Sequence, residues 1–174
     1  MAVQIARLAG ARVATTVTPG RKSELASSLG AELCIDYRRE DVGERLRAWT
    51  GMDGADVVHD TVGGRTFNAC FSLVRPYGDL VSNVESPWEQ EAFTAMHDRN
   101  LSVSFAWMPA PSVFGWPEHR ERQRRILEQA AVRFDAGELR VSVGATFPLE
   151  QLADAHRALE SGQVVGKAVL TFQC

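Results

Sequence analysis

The chain has 174 residues, a formal net charge of −3 at pH 7, 45% hydrophobic and 24% charged residues. This balance is typical of one globular domain with a sizeable core. No run approaches the roughly 18 apolar residues of a membrane helix. The slight negative charge gives no reason to expect nucleic acid or an anionic membrane as a partner. Three widely spaced cysteines argue against a disulfide framework or a structural zinc cluster and favour a reducing cytoplasm.

Hydrophobic periodicity predicts alternating helices and strands through the first half of the chain. Glycine and proline separate these elements, as at Pro19-Gly20 and Gly30. In chain order we predict helix 1–8, strand 11–17, helix 21–29, strand 32–35, helix 41–49, strand 55–59, helix 65–74 and strand 79–82.

The second half begins with a polar excursion, 86–100. It continues with strand 101–107, loop 108–116, helix 117–134, strand 141–143, helix 149–159 and strand 167–172. The long helix carries an apolar stripe of Ile126, Leu127, Ala130, Ala131 and Phe134. The alternation of strands and helices predicts a single α/β domain, 1–174, with a doubly wound, mostly parallel sheet. In such sheets, ligands bind at the carboxyl ends of the strands.

Several stretches resemble one family in order and spacing. They are residues 2–13, 29–32, 35–41, 54–64, 147–150 and 160–167, so the resemblance covers essentially the whole chain. Together they are similar to the C-terminal nucleotide-binding (Rossmann) domain of the medium-chain dehydrogenase/reductase superfamily. The similarity is to its quinone oxidoreductase and zinc-type alcohol dehydrogenase-like branch.

The resemblance also implies what this chain lacks. The family's first strand and glycine-rich loop would precede Met1, and its catalytic GroES-like domain, with the zinc ligands and general acid residues, is absent. We therefore assign no catalytic residue and no metal ligand, and expect the isolated chain to be inactive. The missing strand would lie between strands 11–17 and 55–59 and leave two buried edges without ladder partners. A fragment of a longer protein is the favoured interpretation.

The residues at the end of the strand 11–17 predict whether NAD or NADP is preferred. Selectivity for NAD usually requires Asp or Glu there, to bind the ribose hydroxyls. Here the position is Val17, followed by Thr18, with Arg21 and Lys22 just beyond. Cations and a hydroxyl would bind a 2′-phosphate that a carboxylate would repel. We therefore predict NADP(H), with solvated helix residues as the alternative for Arg21 and Lys22.

The resemblance supplies the remaining site residues. It implies that Lys22 and Tyr37 flank the 2′-phosphate and adenine, that the turn Thr61-Val62-Gly63 packs near the adenosine ribose, and that Ser82 and Asn83 line the nicotinamide pocket. Lys167 corresponds to a basic residue near the pyrophosphate, or is a surface lysine. Glycine at position 63 has an alternative reason, the geometry of the turn. The predicted cofactor-binding residues are Thr18, Arg21, Lys22, Tyr37, Thr61, Val62, Gly63, Ser82, Asn83 and Lys167.

Structural roles are favoured for the other candidate functional residues. His59 lies on a predicted buried strand and is interpreted as a core histidine, whereas the other histidines, His97, His119 and His156, are interpreted as surface residues. The basic run 119–125 is interpreted as the solvated face of a helix rather than a nucleic-acid patch. Core packing is the favoured role for Phe105 and Trp107, with a position beside the nicotinamide or in a subunit interface as the alternatives.

The leading hypothesis is the cofactor-binding half of an NADPH-dependent quinone or enone reductase that transfers hydride to a small-molecule substrate. The alternatives are a zinc-type alcohol dehydrogenase, an acyl-chain enoyl reductase with the same cofactor domain, and a non-catalytic, truncated nucleotide-binding or dimerisation module. The family pairs its sheets across a two-fold axis at the strand Leu101–Trp107, which implies a homodimer. The predicted location is cytoplasmic.

Overall fold

The structure, a computed structural model, describes residues 1–172, which form two compact units. The first unit comprises Met1–Asp36 and the chain from Ile126 onward, and the second comprises Tyr37–Arg125. Strands pair only in parallel in the ladders of the described chain. Helices separate most consecutive strands, because parallel neighbours require long crossover connections.

The elements follow the predicted order closely. In the first unit they are α1 (Ala2–Leu8), β1 (Ala14–Thr16), α2 (Arg21–Ser28), β2 (Leu33–Ile35), β6 (Val143–Pro148), α8 (Leu152–Glu160) and β7 (Lys167–Thr171). In the second they are α3 (Val42–Thr50), β3 (Ala55–Asp60), α4 (Arg65–Cys70), β4 (Val74–Ser82), α5 (Gln90–Asp98), β5 (Ser102–Phe105) and α6 (Ala110–Val113). Helix α7 (Pro117–Asp135) crosses the boundary between the units.

The strands of residues 1–172 form three parallel sheets, β1-β2, β3-β4-β5 and β6-β7. The predicted α/β class, with parallel, Rossmann-like sheets flanked by helices, is confirmed. In the ladders of the described chain, β1 pairs only with β2, and β3 pairs only with β4. One edge of each of these two strands is therefore without a ladder partner in the structure.

The core of the second unit is built where α4 meets β4. Phe67, Phe71, Val74 and Leu80 are each fully buried. The rings of Phe67 and Phe71 lie 5.1 Å apart, edge to face, which is a favourable geometry for two aromatic rings. This core fixes the carboxyl ends of β3 and β4 against the start of α4.

In the first unit, a buried amide joins α1 to a distant part of the chain. Gln4 is 6% exposed, and its Nε2 donates to the carbonyl of Arg140 at 3.1 Å. The Arg140 amide donates back to Gln4 Oε1 at 3.0 Å. The Arg140 guanidinium reaches the carbonyl of Ser28 at 2.9 Å. These contacts hold α1 and the end of α2 to the segment before β6.

Helix α5 is the main element that the prediction missed, since we expected a polar excursion over 86–100. Most of its exposed residues are polar, but Ala92 is 3% exposed and packs on the core cluster, together with the half-buried Ala95 and Met96. The small and flexible side chains of this stripe make little signal in the sequence. Burial against α4 and the adjoining turn therefore decides the conformation.

Strand β4 begins earlier than predicted. The predicted helix 65–74 ends as a helix at Cys70, continues as a single 3₁₀ turn over Phe71–Leu73, and gives way to the strand at Val74. The turn residues Pro76, Tyr77 and Gly78 lie inside β4 as an irregularity of its register with β3. Tyr77 adopts a φ of 59°, which is uncommon for a residue other than glycine.

Three predictions of burial were wrong. His59 is exposed rather than buried, because nothing in residues 1–172 covers this part of β3, where Val57 is also 58% exposed. Phe105 and Trp107 are 52% and 54% exposed, since they lie at and beyond the end of the edge strand β5. The apolar stripe of α7 does not face a core, because that helix has no buried residue.

The basic run at the start of α7 is solvated, as predicted for the helix face. Glu121 accepts hydrogen bonds from Arg124 and Arg125, which lower the pKa of its carboxyl group to about 2. His97, His119 and His156 are also exposed, as expected. Among the helices of residues 1–172, none combines the length and apolar character needed to span a bilayer.

Candidate functional site

The first part of the candidate site lies where β1 ends. The Val17 amide donates to the carbonyl of Ile35 at 2.9 Å, which continues the pairing with β2 one residue beyond the strand. Thr18 is half-buried, and Pro19-Gly20 turn the chain into α2. Gly20 has a φ of 89°, a conformation that side chains disfavour, so the turn needs glycine here. The end of β1 therefore presents a hydroxyl and no carboxylate of its own.

Two cations follow on the first turn of α2. Arg21 and Lys22 are both exposed, and neither forms an ion pair or side-chain hydrogen bond within the described residues. A Cβ added to Gly162 would lie 3.9 Å from Lys22 Nζ, so the loop between α8 and β7 borders this ammonium group. A helix N-terminus and two uncompensated cations together favour an anion at this position.

Two acidic residues of the same unit, Asp36 and Glu24, form no ion pair with Arg21 or Lys22 in the described chain. Asp36 follows β2, is 9% exposed and already has an interaction partner. Glu24 is exposed on α2, two residues after Lys22 and three after Arg21, so it lies on the side of the helix that Arg21 occupies. The described contacts therefore leave both positive charges without a carboxylate partner.

Lys167 opens β7, directly after the loop that contains Gly162. Its amide donates to the carbonyl of Ser142 at 2.8 Å, and its side chain is exposed without a polar partner in the described chain. The ammonium group is thus available to solvent or to a ligand.

A second group of predicted residues lies in the other unit, in the segments 60–64 and 82–86, which we call the double turn. Asp60 is 2% exposed, and its Oδ1 accepts hydrogen bonds from the amides of Val62 and Gly63, each at 3.1 Å. Its Oδ2 accepts from Ser82 Oγ at 2.8 Å. The Gly64 amide donates to Ser86 Oγ at 2.8 Å. The two segments therefore form one hydrogen-bonded unit.

Gly63 is required by this packing. A Cβ at position 63 would lie 2.6 Å from Val84 Cγ1 and 2.9 Å from Ser86 Oγ, closer than such atoms approach. Its φ of 79° is also unfavourable for other residues. The structural reason that we considered for this glycine is thus sufficient by itself. The side chain of Val84 fills the space that Gly63 leaves.

The remaining predicted residues of this unit divide into buried and exposed ones. Ser82 has 0% exposure, and its hydroxyl is held by Asp60 and the amide of Val84 at 3.2 Å, so its side chain stabilises the double turn. Thr61 and Asn83 are exposed, and Val62 is 69% exposed. Tyr37 is 51% exposed, with the Arg38 guanidinium 5.7 Å from the centre of its ring. The exposed groups can contact a ligand.

Sequence reasoning missed Asp60 and Ser86. An aspartate two to three residues before glycine is the pattern of a side chain that caps its own turn, so Asp60 was detectable. Ser86 carries no such signal, because its partner Gly64 is separated from it by the whole of α4 and β4.

The described residues contain no group of three or more His, Cys, Asp or Glu side chains placed to hold a metal ion. Cys70 is close to Asp60, but its thiol is unreactive. Burial, and secondarily the negative charge of Asp60, raise the pKa of the Cys70 thiol to about 12. The thiol therefore stays protonated at neutral pH, and this cysteine packs as a small apolar residue.

Comparison with known proteins establishes the relationship. Residues 29–170 match the model of the zinc-binding dehydrogenase family. A 2-haloacrylate reductase of Burkholderia sp is 32% identical over 171 residues, 97% of this chain and 50% of the relative. The crystal structure of Escherichia coli quinone oxidoreductase complexed with NADPH superposes with a TM-score of 0.80 at 28% identity, over 97% of this chain and 52% of that one. An NAD-dependent alcohol dehydrogenase superposes with a TM-score of 0.79 at 32% identity, over 98% and 46%.

The fold and these matches define a cofactor-binding domain of the oxidoreductase class, equivalent to the C-terminal half of medium-chain dehydrogenase/reductase enzymes. The chain belongs to the zinc-binding dehydrogenase family. The resemblance to the quinone oxidoreductase and alcohol dehydrogenase-like branch is thereby confirmed. The chain spans about half the length of the relatives that it matches.

Proposed function

We propose that this chain is the cofactor-binding half of an NADPH-dependent oxidoreductase of the quinone or enone reductase type. The observation that carries the proposal is the end of β1, where Thr18 is followed by two uncompensated cations, Arg21 and Lys22. A nicotinamide cofactor, when bound, supplies the hydride chemistry. The protein's own contribution is to bind and orient it.

In the first unit, Lys22 and Arg21 hold a 2′-phosphate through charge-assisted hydrogen bonds, and the Thr18 hydroxyl adds a neutral one. The ammonium of Lys22 also borders the Gly162 loop. Lys167, immediately after this loop, contributes a further positive charge toward the pyrophosphate. These are the roles that the exposed, unpaired cations of this unit support.

In the second unit, the double turn binds an uncharged part of the ligand. The amides of Val62, Gly63 and Gly64 are already hydrogen-bonded to Asp60 and Ser86, so they are not free to bind phosphate. Exposed groups remain at Val62, Thr61 and Asn83, and these suit a ribose, a planar ring or a carboxamide. Tyr37 presents an exposed ring for stacking with adenine.

No residue of this chain is proposed to be catalytic, and we expect the isolated chain to be inactive. The substrate would be a small molecule such as an electron-poor alkene or quinone, taken up by the complete enzyme. The relatives include both an NADPH complex and an NAD-dependent enzyme, so the cofactor preference rests on the residues around Lys22.

Titration of the chain with NADPH and with NADH, followed residue by residue by NMR, tests the proposal. We expect weak binding of both, with a dissociation constant about tenfold lower for NADPH, because a phosphate gains charge-assisted contacts worth about 1.5 kcal/mol. The largest shifts upon addition of NADPH, relative to NADH, should fall on Thr18, Arg21 and Lys22. Equal affinities, or shifts confined to other residues, would contradict the NADP preference.

We also propose that the chain forms a homodimer through the edge strand β5. The stretch from Leu101 to Trp107 carries no charge, and Phe105 and Trp107 are more than half exposed. In the ladders of the described residues, β5 pairs only with β4 and leaves its outer backbone groups unpaired. An apolar, uncharged edge is an aggregation hazard unless another strand covers it, and a second copy does so symmetrically.

The solution mass tests this assembly. We expect about twice the 19.1 kDa of one chain in sedimentation equilibrium. Ser104→Lys places a charge on the edge of each copy and should shift the mass toward the monomer, because like charges at a paired edge repel. Thr94→Lys, on the exposed face of α5, is the matched control and should leave the mass unchanged. A wild-type chain that is monomeric at all concentrations would rule out the dimer.

A further inference from the structure

Asp60 is a buried carboxylate to which the proposed cofactor chemistry assigns no contact. It lies at the carboxyl end of β3 and is 2% exposed. A buried carboxylate is unfavourable unless hydrogen bonds replace its hydration. Both of its oxygens are satisfied, Oδ1 by two backbone amides of the turn that follows and Oδ2 by Ser82 Oγ. A burial this complete implies that the carboxylate has a specific task.

The bond to Ser82 connects Asp60 to a second strand end. Ser82 is the last residue of β4 and pairs in register with Asp60. Its hydroxyl oxygen accepts a hydrogen bond from the amide of Val84 at 3.2 Å. Ser82 therefore connects the carboxylate to the segment after β4. On the other side of the double turn, the Gly64 amide reaches Ser86 Oγ at 2.8 Å, and Val84 packs against Gly63.

These contacts decide which groups face outward. The turn amides point inward to Asp60, whereas Val62 is 69% exposed and Asn83 is exposed as well. We propose that Asp60 is a positioning residue, which holds the segments 61–64 and 83–86 in one geometry so that Val62 and Asn83 face the ligand together. This inference rests on the proposed function only for the identity of that ligand, a nicotinamide dinucleotide.

Both carboxyl oxygens of Asp60 are used, because three donors converge on this one side chain. Ser82 Oγ also lies 3.0 Å from the Val84 carbonyl, to which it can donate, and 3.2 Å from the Val84 amide, which donates to it. In an asparagine, an NH₂ group replaces one of the two acceptor oxygens. Asp60→Asn therefore removes an acceptor from the double turn and leaves the Ser82 hydroxyl only the Val84 carbonyl.

The experiment compares Asp60→Asn with the matched control Asp79→Asn in the full chain. Asp79 lies on the neighbouring strand β4 and is exposed, so its substitution removes the same charge without breaking the double turn. Amide hydrogen exchange of Val62, Gly63 and Val84 is measured by NMR in each variant. We expect at least about tenfold faster exchange of these amides in Asp60→Asn and no change in the control, because local exchange reports local opening.

A second measurement separates positioning from general stability. The NADPH dissociation constant is determined at a temperature at which unfolding curves show all the variants to be fully folded. We expect about a tenfold rise for Asp60→Asn and less than about a twofold rise for Asp79→Asn. A merely structural role would leave the affinity of the folded protein unchanged, and that result would overturn the proposal.

Failure of the proposed function has a different signature. If NADPH causes no NMR shift at Val62 or Asn83 in the wild-type chain, the proposed ligand is wrong. The exchange rates of the amides still show whether Asp60 holds the double turn. If Asp60→Asn does not fold, Ser82→Ala replaces it, since this variant removes the link to Val84 and keeps the carboxylate. Unchanged exchange of the Val84 amide together with unchanged NADPH affinity in Ser82→Ala would overturn the proposal.

Discussion

Replacing Lys22 by alanine is expected to raise the dissociation constant for NADPH by about tenfold or more and that for NADH by less than about twofold. Lys22 is exposed, has no ion pair in the described chain, and borders the Gly162 loop, so its charge is available to a phosphate. NADH lacks the 2′-phosphate and loses no such contact. NMR titration or fluorescence of the reduced nicotinamide measures both constants.

The control for this variant is Arg122→Ala, which removes one positive charge from the exposed face of α7. It should change neither constant by more than about twofold, because Arg122 is not among the predicted cofactor-binding residues and its exposed charge is screened at physiological salt. The contribution of Lys22 to the NADPH dissociation constant should also decline as the salt concentration increases, because salt screens charges. Equal losses for NADPH and NADH in Lys22→Ala would remove the argument for NADP specificity.

Replacing Phe67 by alanine is expected to lower the free energy of unfolding by about 3–5 kcal/mol. Phe67 has 0% exposure and contacts three rings, those of Phe71, Trp88 and Phe105, at centroid distances of 5.1, 5.4 and 6.0 Å. Alanine would leave a cavity and remove these aromatic contacts. Urea unfolding, followed by circular dichroism, measures the change.

Phe93→Ala is the matched control for this second substitution. Phe93 lies on α5 and is 52% exposed, so its truncation should lower the free energy of unfolding by less than about 1 kcal/mol. The difference between the two phenylalanines isolates burial from residue type. Similar losses in both variants would mean that the cluster around Phe67 is not the core that stabilises this unit.

Local signals predicted most of the elements. Helix α3 is an example. Asp41 caps its first turn, because its Oδ1 accepts a hydrogen bond from the amide of Glu44 at 2.8 Å, and Gly51 ends the helix with a φ of 67°. Such signals act within a few residues and can be recognised without knowledge of the fold. The same holds for the Pro19-Gly20 turn before α2, which brings Lys22 just beyond the end of β1.

The exposed and buried states of single residues were less predictable. We expected His59 and Phe105 to be buried because they lie on apolar strands, but both are exposed in the structure. Burial depends on which surfaces other elements cover, and the sequence of a strand contains no such information. The missed helix α5 has the same cause, since its buried stripe is formed by small residues such as Ala92.

The sequence alone determined the α/β class, most of the order of the elements and the cations that follow the carboxylate-free end of β1. These depend on periodicity, turn chemistry and residue type, which are properties of short segments. The family followed from the resemblance of several such segments, in order and spacing, to a known one. Only the tertiary structure showed that Asp60 and Ser86 hold the double turn, and that Ser82 is buried within it. The partners in these bonds are up to 22 positions apart in the chain. Parallel pairing of β3 with β4 brings them together, and a long-range contact of this kind leaves no pattern in either segment.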